Sequence, residues 1–173
     1  LNYLALIVLV LIMLVPFLWI ITTSLKDFIS ITSSKLLFTP TLDNYKNLFF
    51  WILRLVVAVI LLQTLYFKFS GAAESVYIFT QLGVEPYGRY FSGVIELIAA
   101  LLILYPKTTG LGAFLSAATM AGAITGHIGV LGIEIEHDGG TLFFLALAVF
   151  VASIILAWHY QSHWRKYVPF VKK

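Results

Sequence analysis

Gly110-Leu-Gly-Ala-Phe-Leu-Ser-Ala-Ala-Thr-Met-Ala-Gly-Ala-Ile-Thr-Gly-His-Ile-Gly-Val-Leu-Gly-Ile-Glu-Ile-Glu-His-Asp-Gly-Gly140 decides the fold. Gly112, Ser116, Ala118, Gly122 and Gly126 give four-residue spacings of small side chains, among them the run Gly122-Ala-Ile-Thr-Gly126. Such a face lets helix backbones approach closely, which matters in lipid, where burial of apolar surface no longer drives association. The stretch reads as the central helix of a membrane bundle, with Gly122 and Gly126 expected against a neighbouring backbone. Its far end carries His127, Glu134, Glu136, His137 and Asp138 before Gly139-Gly140, so charge gathers where the helix leaves the bilayer.

The whole chain agrees with a lipid environment. Of its 173 residues, 61% are hydrophobic and only 11% charged, and its mean hydropathy is +0.98. These values lie far outside the range of soluble domains. The absence of cysteine excludes disulfides, thiolate metal sites and cysteine-ligated iron–sulfur clusters. A net charge of +3 raises the question of nucleic acid. The basic residues are few and lie between or beyond apolar runs, so topology explains them and no nucleic-acid partner is expected.

Tyr3 to Ile21 is nearly uninterrupted Leu, Ile and Val, and about 20 such residues span the hydrocarbon core. Pro16 is expected to kink it. A signal peptide would need a basic lead and a small-residue cleavage site, and neither is present, so a retained helix is expected. Because residue 1 is Leu rather than Met, the chain reads as a fragment. A polar stretch, Thr22 to Phe50, follows, with a helix cap expected at Asp43 or Asn44. Further spans are expected over Trp51 to Phe67, Tyr90 to Tyr105, Leu111 to Leu131 and Leu142 to Tyr160. Trp158, Tyr160, Trp164 and Tyr167 form an aromatic belt at the last boundary, followed by Arg165, Lys166, Lys172 and Lys173. The fold class is therefore an all-α integral membrane protein, a four-helix transmembrane bundle with one extra N-terminal transmembrane helix.

Depth sorts the ionisable residues. Glu96 sits roughly 12 Å below the turn at Gly88, at a rise of 1.5 Å per residue. A carboxylate there needs a partner or a proton. Lys68, ending the preceding helix, and His127, from the outer part of the small-residue helix, are the candidates. Together Lys68, Glu96 and His127 define an outward-facing polar pocket for a proton and an anionic or quinone-like ligand. The competing reading is a structural ion pair tying three helices together. Glu134, Glu136, His137 and Asp138 are outer-loop candidates; with His127 they offer nitrogen and oxygen ligands, but at no established metal spacing, and no metal is assigned. His127 and His159 fall near opposite faces, which disfavours a bis-histidine haem. His159 and His163 read as interfacial residues, and Arg54 as a snorkelling inner-face charge. No phosphate-binding glycine loop and no Ser-His-Asp constellation is present.

Two resemblances follow from these residues. The run Pro16-Phe-Leu-Trp-Ile-Ile-Thr-Thr-Ser-Leu-Lys26 with Pro40-Thr-Leu-Asp-Asn-Tyr-Lys-Asn-Leu-Phe49 resembles the start of a carbohydrate-type ABC transporter permease. The ATPase-docking loop of such permeases is missing, and no transport residue carries over. From about Leu53 to Tyr160 the chain resembles the DoxX family of small four-helix membrane proteins. Arg54 opens the first helix, Lys68 closes it, Glu96 lies in the second, Gly110 to Gly132 supply the small-residue third, and Asp138-Gly139-Gly140 precede the fourth. Thr141 stands where many members have a glutamate. The resemblance implies the four-helix fold and, through relatives in membrane redox complexes, a quinone cofactor and redox partner proteins. Residues 1–50 and 51–173 are thus expected to be separate parts. Nine Lys and Arg residues fall on one side and two, Lys68 and Arg89, on the other, placing the C-terminus in the cytoplasm of a bacterial cell. That orientation puts Thr22 to Phe50 inside, whereas permeases place the corresponding segment outside, so the N-terminal part reads as a fused or misjoined piece.

Overall fold

The computed structural model describes residues 3–33 and 37–162. Lys35, Trp164, Arg165, Lys166, Tyr167, Lys172 and Lys173, which enter the charge count or the aromatic belt, and His163, read as interfacial, lie outside them. The described residues form helices α1 (Tyr3–Ser24), α2 (Phe28–Thr32), α3 (Asp43–Ser70), α4 (Ala73–Gln81), α5 (Tyr87–Leu104), α6 (Thr109–Gly126) and α7 (Thr141–His159), and contain no strand. Among the described residues, four segments are long and apolar enough to cross a membrane: α3, α5, α7, and α6 extended to Leu131 by a π-helical turn. The N-terminal helix adds a shorter apolar stretch, Val10–Ser24.

The chain divides into two compact units, residues 1–51 and 52–173. In the first, Asn44 Nδ2 donates to the carbonyls of Ser24 and Lys26, each at 2.9 Å. Ser24 Oγ meets the Tyr45 hydroxyl at 2.6 Å. These bonds satisfy carbonyls left open at the end of α1. They also explain why α3 begins at Asp43, eight residues before the apolar run at Trp51: its first turns carry the polar side chains that clasp the preceding strand of chain. Asp27 caps α2 by accepting from the Ser30 amide at 3.3 Å.

In the second unit, α5, α6 and α7 pack in sequence through small residues. A Cβ added to Gly112 would lie 2.6 Å from the Ile103 nitrogen and 2.8 Å from the Ala99 carbonyl oxygen, so only glycine permits this approach of α6 to α5. Ala99, Ala100 and Ala113 are fully buried around it. One turn further, Ser153 Oγ and Ser116 Oγ share a buried 2.9 Å hydrogen bond that links α7 to α6. The expected contact at Gly122 and Gly126 is corrected here. A Cβ at Gly122 meets nothing within 4 Å, and one at Gly126 meets only side chains, Leu82 at 3.5 Å first. Small residues occur on more than one side of α6, and the side carrying Gly112 and Ser116 is the one turned to the bundle.

Arg54 is not a snorkelling charge. It is 2% exposed and donates from Nε to the Ile103 carbonyl at 2.9 Å and from Nη2 to the Leu104 carbonyl at 2.6 Å. The planar fork fills acceptors that the last turn of α5 leaves open, with its cation at the negative end of the helix dipole. The Tyr160 ring lies 6.0 Å from its Cζ.

Candidate functional site

Residues Arg54, Val57, Ala58 and Leu61 form the buried face of α3, and continuing at helical spacing places Thr64 and Lys68 on the same side. On α5, Arg89, Gly93 and Glu96 share its buried face. Gly93 allows the two faces to close, because a Cβ there would lie 3.1 Å from the Phe69 ring and 3.7 Å from Lys68 Cβ. Lys68 Nζ then forms an ion pair with Glu96 Oε2, with Glu96 only 3% exposed. The same carboxylate oxygen accepts from Thr64 Oγ1 at 2.7 Å.

Thr64 Oγ1 also lies 2.7 Å from the Leu61 carbonyl. A hydroxyl carries one proton and two lone pairs. Its proton can serve the Glu96 carboxylate, or turn to Leu61 and leave a lone pair that accepts from a protonated Glu96. The partner set around Glu96 is therefore satisfied in either protonation state. Above this cluster Arg89 locks the helix ends: Nε reaches both Glu85 carboxylate oxygens at 2.9 and 3.0 Å, and Nη1 donates to the Lys68 carbonyl. Its Cζ stacks 4.4 Å from the Tyr90 ring.

The expected convergence of Lys68, Glu96 and His127 is only partly what the structure has. Lys68 and Glu96 meet. His127 is buried, but its Nδ1 bonds the Gly132 carbonyl at 2.8 Å and its ring packs edge-on to Phe143 at 5.6 Å. A carbonyl only accepts, so Nδ1 carries the proton. This bond closes the π-helical turn His127–Leu131, where α6 gives way to the loop before α7.

The loop candidates also separate. Asp138 Oδ1 accepts from the amides of Ile135 at 2.9 Å and Gly140 at 2.8 Å, and Oδ2 from Leu142 at 3.0 Å. Asp138, two residues before the N-cap Gly140, thus ties the loop to the first turn of α7. Burial opposes its ionisation, but hydrogen bonds from the Leu142, Ile135 and Gly140 amides, with His127 nearby, hold its carboxyl below the ordinary value. Gly140, at φ +80°, makes the turn without the Cβ that would press on Ile133 and Phe144. Glu134, Glu136 and His137 point outward; the Glu134 and His137 side chains are 4.0 Å apart and His137 is fully exposed. Among the described residues no group of three His, Asp or Glu side chains could hold a metal ion.

Thr64, Glu85 and Arg89 were not among the sequence candidates. Their signal was spacing: Thr64 lies four residues before Lys68 and Arg89 seven before Glu96, each pair on one helical face, while Glu85 reaches Arg89 from the turn that precedes α5.

No curated protein and no solved structure matches the chain. The model of the DoxX-like family matches residues 52–151, a span that includes Arg54, Thr64, Lys68, Glu96, Gly112, His127 and Asp138. That match takes in more than half of the 173 residues and begins where the second unit begins, and the chain belongs to the DoxX-like family of multi-pass membrane proteins.

Proposed function

We propose that this protein is the membrane component of a redox or quinone-linked complex, with Lys68, Glu96 and Thr64 as its ligand-facing cluster. The observation that carries the reading is the Glu96 carboxylate, buried in the apolar α5 and paired with Lys68 from the last turn of α3, since charged side chains in a span are costly and mark sites of proton or ligand handling. The donor set suits a quinone headgroup, which has carbonyl oxygens to accept from an ammonium and gains protons when reduced. When bound, the quinone supplies the electron-carrying chemistry, and the electrons come from a redox partner protein. Lys68 would hold a carbonyl oxygen, Glu96 would give or take one proton, and Thr64 would turn its hydroxyl to match. Arg89 and Gly93 keep α3 and α5 at the separation the pair requires.

A scaffold role is the second reading, favoured by the fact that Glu96 and Lys68 already satisfy each other. Spectra of protein purified from its native membrane separate the two. A redox component carries extractable quinone, and Lys68→Met loses it while the helical content persists. A scaffold yields no quinone from either protein and co-purifies with a partner that both retain.

The positive-inside bias supports a bacterial cell membrane with a cytoplasmic C-terminus. Residues 1–50, which resemble a permease N-terminus, are read as a membrane-inserted lead joined to the DoxX-like bundle; the alternative of a transporter fragment requires co-purification with an ATPase.

A further inference from the structure

Lys68 and Glu96 lie on either side of one excursion of the chain. After Lys68 the backbone leaves α3, runs through α4 and returns as α5, which carries Glu96. The pair is closed off, with the Lys68 and Glu96 side chains 14% and 3% exposed. A ligand therefore reaches it only if part of the bundle moves. α3 and α5 meet closely at Gly93, and α5 and α6 at Gly112, so those contacts are poor places to open. α4 is held differently. Gly71 and Gly83 bracket it at φ +72° and +70°, and hinges are such short segments at element ends that absorb backbone rotation. Both of its flanks are tied to one buried guanidinium. Arg89 donates to the Lys68 carbonyl, three residues before Gly71, and pairs at 2.8 Å with the Glu85 carboxylate, two residues after Gly83. A further attachment is apolar, with Leu82 at the end of α4 facing Gly126 of α6. All of these contacts lie within residues 52–173.

We propose that α4 is a lid on the Lys68–Glu96 cluster, hinged at Gly71 and Gly83 and latched by Arg89 through Glu85, which admits the polar headgroup of a ligand when it swings away. The lid rests on the ligand-facing role of the cluster, yet it controls access whatever the ligand is. Access can therefore be measured with no quinone present.

The chain contains no cysteine, so Thr64→Cys, beside Glu96, reports access to the cluster through its rate of reaction with a small, charged, water-soluble thiosulfonate. Glu85→Gln weakens the latch and should speed that reaction several-fold. Gly83→Ala should speed it by a different route. A Cβ there meets nothing within 4 Å, so its cost falls on the positive φ of the closed hinge alone, and Gly83→Asn, which tolerates that φ better, should act less. Ser116→Cys, fully buried between α6 and α7, should stay unreactive throughout. In the chain without cysteine, Glu85→Gln should also raise amide exchange across Ala73–Gln81 and leave α6 unchanged. A Thr64→Cys rate that neither Glu85→Gln nor Gly83→Ala increases would overturn the lid, as would exchange in α4 that Glu85→Gln leaves unaltered. Equal acceleration at Ser116→Cys would also overturn it, since the whole bundle would then be loosening. Gated labelling in a protein that yields no quinone would keep the lid and remove only the quinone.

Discussion

At Glu96, the neighbours determine what each substitution costs. Removing one member of a buried ion pair leaves the other charge uncompensated, at about 3–5 kcal/mol, whereas removing both charges is far cheaper. Lys68→Met and Glu96→Gln should each lower the thermal stability of the bundle in detergent, and the double variant should be more stable than the sum of the two losses predicts. A coupling of about 0.5–3 kcal/mol from the double-mutant cycle is the expected result; additive losses would mean the pair does not act as a unit. Glycines give a sharper contrast. Gly112→Leu should destabilise the bundle strongly, because a Cβ already meets α5 backbone at 2.6 Å, and Gly122→Leu should be tolerated in the same assay.

Among the elements, α7 depends on a residue before its own first turn. Asp138 receives three amide hydrogen bonds, two of them from residues at the helix start. Loss of such a cap costs about 0.5–2 kcal/mol, which is the drop expected for Asp138→Ala. Because the folded carboxyl ionises more readily than the unfolded one, its stabilisation is complete above the ordinary carboxylate range of about pH 4 and is lost as pH falls through the lower folded value. Unfolding followed from neutral to acidic pH should show a gap between wild type and Asp138→Ala that closes below that point; a constant gap would contradict the capping role. The positions of α1, α5, α6 and α7 were legible from runs of apolar residues, since hydropathy registers depth in lipid. Rotation about the helix axis was not. Both Gly112 and Gly122 belong to small-residue spacings, and only the neighbouring backbone selects one. The pairing of Lys68 with Glu96 could be anticipated because a carboxylate inside an apolar helix needs a cation within reach; His127 instead finds an acceptor in Gly132. The short α4 was hidden because its nine residues make no spanning run, and the early start of α3 because polar side chains, not apolar ones, hold its first turns.

For the whole molecule, the family match from residue 52 onward and the separate packing of the two units lead to one expectation. A chain beginning at residue 43, which keeps α3 intact, should insert and purify as a monodisperse helical species. Aggregation of that species, with the full chain well behaved, would mean that residues 1–42 complete the bundle. The central claim is that Glu96 exchanges a proton when a quinone-type headgroup engages Lys68. Infrared difference spectroscopy of the protein in lipid, with and without a short-chain quinone, tests it most directly. The expected result is a carboxyl band that shifts or changes intensity on quinone addition, is missing in Glu96→Gln, and does not respond in Lys68→Met. A spectrum unchanged by quinone, or a carboxyl signal that survives in Glu96→Gln, would contradict it.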